Sequence, residues 1–370
     1  MINLLFFLLV QFNICNQYIN IKDSNNFLKL KNYDAIYNSL NTSNMIEKKN
    51  IILGTIVGYP WQKILTFFNS LIQANFSNCD VVIFIKDVYN PIKNYLKNIG
   101  VILLPIPNIY PNMEITKLRW KLYKDYLEKN KDKYNLVFTT DIRDVFFQKD
   151  IFQYYKTYKP FLGVATEDNT LNQITNKMWI TNFAGEEKHK TIQNKKIICF
   201  GTVWGSFDIF LEFSKILWGK IEFDKNSTDQ GIGNYLIYYE KIFNDYIIKS
   251  DNYGPVITIW WNNMENIRID SNNNILNFRG EVASVIHQYG RYFQIEMIIQ
   301  EKFLYKMFDR FDNFANKNNL KINKSNNTLQ TTKKILNDDY YLNIINILII
   351  IQFLITLFLV KKLCKYKMNK

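Results

Sequence analysis

Histidine and cysteine are scarce in this chain of 370 residues, which has two of the first and four of the second. Two histidines exclude a metal site built from a histidine cluster. Four cysteines are too few for a disulfide scaffold, and none forms the Cys-x-x-Cys pair of a zinc site. We interpret Cys79 and Cys199 as core thiols or as a single disulfide, and His189, which lies among charged residues, as part of a solvated loop.

The sequence also lacks the short motifs of several large enzyme classes. It has no Gly-x-x-x-x-Gly-Lys-Ser/Thr, no Gly-x-Ser-x-Gly, no His-Glu-x-x-His and no Gly-x-Gly-x-x-Gly. These motifs carry the phosphate loop of P-loop nucleoside triphosphatases, the nucleophile of α/β-hydrolases, the zinc site of metalloproteases and the dinucleotide-binding turn. Nothing in the sequence therefore supports any of these four chemistries.

Negative charge is in deficit, and the formal net charge is +13 at pH 7. Five of these positive charges lie in the last ten residues, and residues 313–339 contribute a net three. The +5 that remains over residues 1–312 is too dilute for a nucleic-acid track and suits anionic nucleotide ligands. Apolar side chains make up 48% of the chain, which excludes a mostly disordered protein.

Two apolar runs mark the ends of the chain. The run at residues 4–10 is too short to span a bilayer and suits a signal peptide, with an uncleaved signal-anchor or a buried strand as alternatives. Residues 340–360 carry no charge and precede four lysines within 361–367. This pattern predicts a single transmembrane helix with a cytoplasmic C-terminus, and a buried core helix is the alternative.

This layout predicts a single-pass membrane protein with a lumenal N-terminal domain, located in the Golgi, the endoplasmic reticulum or the cell surface. Five Asn-x-Ser/Thr sequons are compatible with a glycoprotein, although composition alone gives about four. The predicted segments are a signal peptide (1–17), a stem (18–50), a main domain (51–312), a linker (313–339), a transmembrane helix (340–360) and a basic tail (361–370).

Short apolar strands alternate with helical patterns from residue 51 onwards. Four such strands are predicted at residues 51–57, 81–85, 101–104 and 135–140. Strands that alternate with helices predict an α/β fold with a mainly parallel, doubly wound sheet covered on both faces. Ligands bind such sheets beyond the carboxyl ends of the strands, which places Gly58 and Asp141 at the functional edge.

Asp141 and Asp144 follow the fourth strand in the sequence TDIRDVF. Two carboxylates at a strand end can converge on one divalent cation, and such a cation can bridge the two phosphates of a nucleotide. Arg143 lies between them and can bind phosphate directly as a planar fork. The alternative is an acidic pair that is bridged by its own arginine and holds no ligand.

Three further motifs follow in the chain. Gly201, Thr202 and Gly205 allow a close approach of the backbone to a ligand, or form a tight turn before a helix. Asp229 lies in the first turn of a predicted helix, where it either complements the helix dipole or accepts a proton from a hydroxyl. His287 follows an apolar strand. It is interpreted either as a metal ligand or as a hydrogen-bonded core histidine.

In this order the four motifs resemble the core of the GT-A-fold nucleotide-sugar glycosyltransferases, in which an Asp-x-Asp motif precedes a glycine loop, an acidic motif and a histidine. A glycosyltransferase-like group with an Asp-x-Arg-Asp-Val-x-Phe-Gln motif is more similar still. The similar stretches lie within about residues 51–295 and are TDIRDVFFQKDIF, NKMWI, FGTVWG, TDQGIGNYL, NYGPVIT and NILNFRGEVASVIHQYGRY. Two positions depart from the pattern: Arg143 occupies the second aspartate position, and Gly290 replaces an acidic residue.

The resemblance implies a GT-A Rossmann-like fold with a mixed, mainly parallel sheet. It implies transfer of a sugar from a UDP- or GDP-linked donor to a hydroxyl of a glycan, protein or lipid acceptor. Mn²⁺ or Mg²⁺ would be held by Asp141, Asp144 and His287, unless the arginine at the second aspartate position makes the metal dispensable. The residues implied in donor binding are Gly58, Arg119, Asp141, Arg143, Gly201, Thr202 and Gly205.

Asp229 is implied as the base of an inverting reaction, or as the group that orients the sugar in a retaining one. Arg119, on the helix before the fourth strand, is interpreted as a phosphate contact or as a solvated helix charge. Two other functions stay open at this point. A catalytically inactive membrane protein of the same fold would bind sugar or nucleotide without turnover, and an adhesion or structural protein would bind no nucleotide.

Overall fold

The computed structural model describes residues 48–108, 113–156, 160–224, 226–260, 266–299 and 302. The predicted signal peptide, almost all of the stem, the linker, the transmembrane helix and the tail lie outside these residues. Within them, no helix combines the length and the apolar character needed to cross a membrane. The first strand begins at Lys49, two residues before the predicted start of the main domain.

Strands and helices alternate along the first half of the domain. The strands are β1 (Lys49–Val57), β2 (Cys79–Lys86), β3 (Ile102–Pro105), β4 (Tyr134–Thr140), β5 (Val145–Phe147), β6 (Leu162–Thr170), β7 (Lys196–Ser206), β8 (Ile247–Ser250), β9 (Val256–Thr258), β10 (Arg268–Ile269), β11 (Ile275–Leu276) and β12 (Val285–His287). The helices are α1 (Trp61–Ala74), α2 (Asn90–Asn98), α3 (Ile115–Lys129), α4 (Ile151–Tyr155), α5 (Ile174–Ala184), α6 (Glu186–Ile192), α7 (Phe207–Ile221), α8 (Asp229–Tyr238) and α9 (Phe293–Ile299).

A seven-stranded sheet with the order β3-β2-β1-β4-β7-β6-β8 forms the centre of the domain. The first four strands in this order pair in parallel, and β8 is parallel to β6. Strand β7 runs antiparallel to both of its neighbours, β4 and β6. The predicted α/β fold with a mixed, mainly parallel sheet is therefore confirmed.

Strand β1 is almost entirely apolar from Ile51 to Val57 because it is covered on both faces. Its side chains point alternately to the two faces of the sheet, and both faces are covered. Ile52 packs in the core beneath Phe67 of α1, whereas Leu53 packs in a second core with Trp120 of α3 and Phe210 of α7. A strand buried on both sides favours apolar residues on both faces, and residues 51–56 of β1, of which only Thr55 is polar, are all buried.

A smaller sheet of three strands, β5-β12-β9, lies next to the carboxyl end of β4. Strand β12 is antiparallel to β5 and parallel to β9. Asp141 and Asp144 lie in the short connection from β4 to β5, so this connection joins the two sheets. The register of β12 against β5 places His287 opposite Val145. The topology thus brings a residue near the end of the domain next to the two aspartates.

Three details of the sequence interpretation change. Gly201 and Gly205 lie within β7 and not in a loop. His189 is fully buried in α6, where its Nε2 lies 3.0 Å from the carbonyl oxygen of Leu171. The interpretation of His189 as part of a solvated loop is therefore wrong. Cys79 and Cys199 are free thiols, which excludes the disulfide between them and leaves the interpretation as core thiols.

Candidate active site

The three residues predicted as metal ligands meet at the carboxyl end of β4. Asp141 directly follows β4, Asp144 directly precedes β5, and His287 is the last residue of β12. The amide of Gln288 donates to the carbonyl oxygen of Asp144 at 2.8 Å, which fixes the two chain segments against each other. One ligand atom from each of the three side chains lies within 4.8 Å of the other two.

This cluster has the chemistry of a divalent-cation site. His287 Nε2 lies 3.6 Å from Asp141 Oδ2 and 3.8 Å from Asp144 Oδ1, which is too far for good hydrogen bonds. Asp144 Oδ1 is buried and accepts no hydrogen bond within the described part of the chain. A buried carboxylate oxygen without a donor is costly, and a cation bound between the three groups would satisfy it. The residues therefore fit Mn²⁺ or Mg²⁺.

Arg119 of α3 holds Asp141 in place. Its Nη1 donates to Asp141 Oδ1 at 2.5 Å, and this leaves Oδ2 directed towards His287. Burial alone would raise the pKa of Asp141, but the charge of Arg119, assisted by His287, lowers that pKa to about 2. Asp141 is therefore ionised at neutral pH and ready to bind a cation.

The other nitrogens of Arg119 are engaged within the protein. Nε and Nη2 donate to Asp229 Oδ2 at 3.1 and 2.6 Å, and Nη2 also donates to the carbonyl oxygen of Phe200 at 2.9 Å. A guanidinium has five N–H donors, and these contacts together with the one to Asp141 use four of them. The predicted phosphate contact of Arg119 thus rests on a single remaining N–H, and its main contacts orient the two aspartates.

Asp229 is the first residue of α8, and its side chain is only 4% exposed. Besides the two bonds from Arg119, Oδ2 accepts one from Trp120 Nε1 at 2.8 Å. The amide of Gln230 donates to Oδ1, also at 2.8 Å. Both oxygens are thus occupied in this arrangement, so the role of Asp229 as a base stays a prediction. Its contacts are those of a buried residue that positions Arg119.

Gly201 of β7 lets Asp141 and His287 pack closely against this strand. A Cβ at this position would lie 2.2 and 2.4 Å from two ring atoms of His287 and 2.8 Å from Asp141 Oδ2. Gly205 lies four residues further along the strand, roughly 13 Å away at about 3.3 Å per residue. A Cβ there would lie 2.6 Å from the carbonyl oxygen of Phe161, so this glycine serves the packing of the sheet.

We expect Gly201→Ala to weaken Mn²⁺ binding by at least about tenfold, a loss of the size seen when groups that orient metal ligands are changed. The added methyl group cannot be accommodated unless the imidazole of His287 moves away from the aspartates. Titration of the free Mn²⁺ signal by electron paramagnetic resonance measures the effect. Gly219→Ala is the control, because a Cβ on this exposed helical residue meets nothing within 4 Å. Equal Mn²⁺ affinity of the two variants would contradict the role given to Gly201.

A cleft of about 150 Å³ opens beside the cluster. Its lining residues are Thr55, Tyr59, Ile115, Thr116, Arg119, Asp141, Arg143 and Asp144. The side chain of Arg143 is 63% exposed, and among the described residues its ion pair is with Asp144, whose Oδ2 lies 3.5 Å from Nη2. Most of its donors thus remain for an anionic ligand. The cleft thus combines candidate cation ligands with a cationic side chain.

The remaining two predicted donor contacts lie near the cleft but do not line it. Gly58 is exposed at the end of β1 and has a φ of 61°, a left-handed conformation that glycine adopts without strain. Thr202 is fully buried in β7, and its Oγ1 has no hydrogen-bond partner among the described residues. Their predicted roles in donor binding stay predictions.

Sequence analysis missed several residues of this site. Gln230 follows Asp229 directly, and its side chain accepts from the amide of Phe200 at 3.2 Å and donates to Asn176 Oδ1 at 2.9 Å. Asn176 and Gln230 both lie in stretches that resemble the glycosyltransferase-like group, and this resemblance is the sequence feature that could have indicated them. Tyr59 lies in the cleft wall. The only sequence feature that indicated it is its position directly after Gly58, at the end of the first strand.

The low pKa of Asp141 predicts a specific pH dependence of stability. A carboxylate whose pKa in the folded state lies below its ordinary value of 3.8 stabilises the fold above about pH 4, and this contribution is lost as the pH falls towards 2. We expect Asp141→Asn to flatten the dependence of the unfolding free energy on pH between pH 4 and 2. Urea unfolding without divalent ions measures it. The exposed Asp132→Asn should keep the slope of the wild type, and parallel curves for Asp141→Asn would contradict the assignment.

No protein-family model and no curated protein matches the sequence. Among solved structures, the bifunctional glycosyltransferase WbbM aligns with a TM-score of 0.42 and 13% identity over 67% of this chain, which spans only 47% of that WbbM chain. The galactosyltransferase LgtC, in complex with donor and acceptor sugar analogues, aligns with a TM-score of 0.43 and 11% sequence identity. The alignment covers 68% of this chain and 94% of LgtC. A glycosyltransferase involved in glycosylation of the PBCV-1 major capsid aligns with a TM-score of 0.36 and 14% sequence identity. This alignment covers 68% of this chain and 98% of that protein. Because these TM-scores are below 0.5 and the sequence identities below 15%, the evidence for function comes from the residues of the cleft.

Proposed function

We propose that this protein is a glycosyltransferase that moves a sugar from a nucleotide-diphosphate donor to an acceptor hydroxyl. The proposal is carried by the cluster of Asp141, Asp144 and His287 beside a cleft that Arg143 lines. Carboxylate and imidazole ligands suit Mn²⁺ or Mg²⁺, and the diphosphate of a UDP- or GDP-sugar is the anionic group that such a cation binds. The order of the sequence motifs supports the same reaction.

The charged residues of the site have separate tasks in this reaction. A divalent cation, when bound, neutralises the charge that develops on the departing diphosphate. Asp141, Asp144 and His287 would hold the cation, and Arg119 keeps Asp141 ionised and oriented. Arg143 would bind phosphate oxygens of the donor.

The residues around the cluster position these groups. Asp229 acts through Arg119, since its carboxylate accepts two of the guanidinium bonds and lies away from solvent. Tyr59 contributes an aromatic ring to the cleft wall, next to the end of β1, where a nucleobase can stack. The donor thus lies across the carboxyl edge of β1 and β4, where α/β sheets bind ligands.

The membrane tether and the secretory location belong to the same proposal. They are supported by the apolar runs at residues 4–10 and 340–360 and by the lysines that follow the second run. A lumenal domain would meet nucleotide sugars together with glycan, protein or lipid acceptors. Protease added to sealed microsomes should leave the main domain intact, and its digestion would show that it faces the cytoplasm.

The decisive experiment is donor hydrolysis and transfer by the purified full-length protein with a panel of UDP- and GDP-sugars. We expect turnover of at least one donor with Mn²⁺ and its loss on addition of a chelator. Calorimetry with UDP and GDP, with and without Mn²⁺, runs alongside. Nucleotide binding without turnover of any donor would indicate an inactive binding protein. Absence of nucleotide binding would contradict the proposal and favour an adhesion or structural role.

A further inference from the structure

A second cavity lies where α8 ends and β8 begins, at the edge of the main sheet opposite β3. Its volume is about 450 Å³, three times that of the cleft beside the aspartates, and the two share no lining residue. Lys195, Lys241 and Lys249 line it together with Tyr238, Asn244 and two isoleucines. No acidic side chain of the described chain lines it. The cavity is therefore a cationic one.

The three lysines come from separate segments that the fold brings together. Lys195 directly precedes β7, Lys241 lies in the connection from α8 to β8, and Lys249 lies in β8. Lys241 has a φ of 55°, a left-handed conformation that is uncommon for residues other than glycine. Uncommon backbone conformations of this kind cluster at functional sites. The connection thus presents Lys241 to the cavity in a conformation that ordinary loop packing does not favour.

The positive charge of the cavity is not balanced by the protein. No ion pair joins any of the three lysines to a carboxylate among the described residues. Glu240, which precedes Lys241, pairs with Lys220 at 3.1 Å, and Asp245 is exposed but does not line the cavity. The carboxyl end of α8 contributes only about half a negative charge. Three ammonium groups therefore keep a surplus of positive charge.

Lys249 shows what this surplus costs. Its Nζ lies 4.5 Å from the centroid of the Tyr238 ring, and the Tyr238 hydroxyl holds that ring by donating to the carbonyl oxygen of Lys196 at 2.8 Å. Partial burial lowers the pKa of Lys249, and the positive charge of Lys195 lowers it further. The face of an aromatic ring offsets such a charge only in part. A negatively charged ligand between the lysines would offset both effects.

We propose that this cavity binds a ligand through its phosphate group, which the ammonium groups of Lys195, Lys241 and Lys249 hold. Lysine binds phosphate as a point charge, and three such charges match a group that carries more than one negative charge. The side-chain amide of Asn244 can add a hydrogen bond. The volume lies within the range of about 300–1,000 Å³ of small-molecule sites, which leaves room for an organic part of the ligand.

The proposed site is separate from the reaction. Helix α8 runs from Asp229, beside the aspartates, to Tyr238 at the cavity. Its ten residues span roughly 15 Å at about 1.5 Å per residue. Phosphate binding here requires neither a divalent cation nor turnover of a nucleotide sugar, so this inference and the proposed function can fail independently.

Lysine footprinting of the full-length protein tests the proposal, with inorganic pyrophosphate as the probe and a chelator that keeps divalent cations away. At about ten times the dissociation constant, pyrophosphate should slow acetylation of Lys195, Lys241 and Lys249 by about tenfold, because about nine tenths of the sites are then occupied. Mass spectrometry reads each lysine separately. Lys97, exposed in the last turn of α2, should be unaffected. Equal protection of all four lysines, or protection of none, would overturn the proposal.

A double substitution tests the same site by calorimetry. In Lys241→Gln with Lys249→Gln, the dissociation constant for pyrophosphate should rise by about tenfold or more, because charge-assisted hydrogen bonds are lost. Lys97→Gln with Lys131→Gln removes the same charge at exposed positions and should keep the affinity of the wild type. Equal weakening in both double variants would reduce the effect to net charge and overturn the site. If the first double variant fails to fold, the footprint on the wild type decides.

Arg143→Gln separates this cavity from the cleft. Loss of pyrophosphate binding in that variant, with unchanged affinity in the double lysine variant, would place the probe in the cleft and overturn the proposal. Glucose 1-phosphate and the short-chain lipid dihexanoyl phosphatidic acid then distinguish a soluble phosphate ester from a lipid headgroup. Tighter binding of either one, lost with Lys241 and Lys249, supports the site and names the source. Binding of neither ester would overturn it.

Discussion

Asp141→Asn is expected to lower donor turnover by about 10²- to 10³-fold or more, the range lost when a group that stabilises developing charge is removed. The substitution removes a carboxylate that faces both the cation site and Arg119. An amide binds a divalent cation far less strongly, because it lacks the negative charge. Steady-state turnover with Mn²⁺, together with the Mn²⁺ dissociation constant, measures the loss.

Asp132→Asn makes the same chemical change at an exposed position away from the cleft and should keep the turnover of the wild type. If Asp141→Asn turned over donor at a wild-type rate, the cation would be dispensable or held by other groups. The arginine at the second aspartate position would then have to neutralise the diphosphate by itself. The experiment thus also decides how far the departure from the Asp-x-Asp pattern matters.

Asp229→Asn is expected to lower the free energy of unfolding by about 3–5 kcal/mol, the usual cost of removing one partner of a buried ion pair. Arg119 is buried, and two of its N–H groups, along with that of Trp120, donate to the carboxylate of Asp229. An asparagine would leave the guanidinium short of negative charge. Urea unfolding measures the change, and Asp208→Asn, exposed in the first turn of α7, should stay close to the wild type.

Turnover in the same variant separates a base from a positioning residue. Both roles predict that Asp229→Asn loses transfer while nucleotide still binds. If Asp229 acts through Arg119, Arg119→Lys should lose turnover to a similar extent, and the double variant should be no worse than the more damaged single variant. Multiplying losses in the double variant would favour an independent chemical role for Asp229. Undiminished turnover in Asp229→Asn would remove this residue from the reaction altogether.

The sequence sufficed for the four parallel strands at one side of the main sheet and for the position of Asp141 and Asp144, because both leave local signals. The buried strands are mostly apolar runs, as in the stretch 51–56, and the aspartates follow such a run directly. Parallel strands carry their ligand-binding residues at one shared edge, so position along the chain indicated position in space. The two aspartates could be placed for that reason before their geometry was known.

The contacts between distant positions could not be predicted in this way. Arg119 and Asp229 are 110 residues apart, and an ion pair between them leaves no periodic pattern in the sequence. The glycines of β7 were interpreted as a loop because glycine is common in turns, whereas Gly201 is needed for the close approach of His287. The burial of His189 was hidden in the same way, since its neighbours in sequence are charged but its neighbours in space are apolar.

The connection from β4 to β5 gives the cation a second consequence. It supplies Asp141 and Asp144 at the border of the large sheet, while His287 comes from the last strand of the small one. A cation bound to all three would be a polar cross-link between two sheets that also share an apolar core, in which Phe147 and Val285 pack in one cluster with Ile52. Cation binding would then add to the forces that align the two sheets.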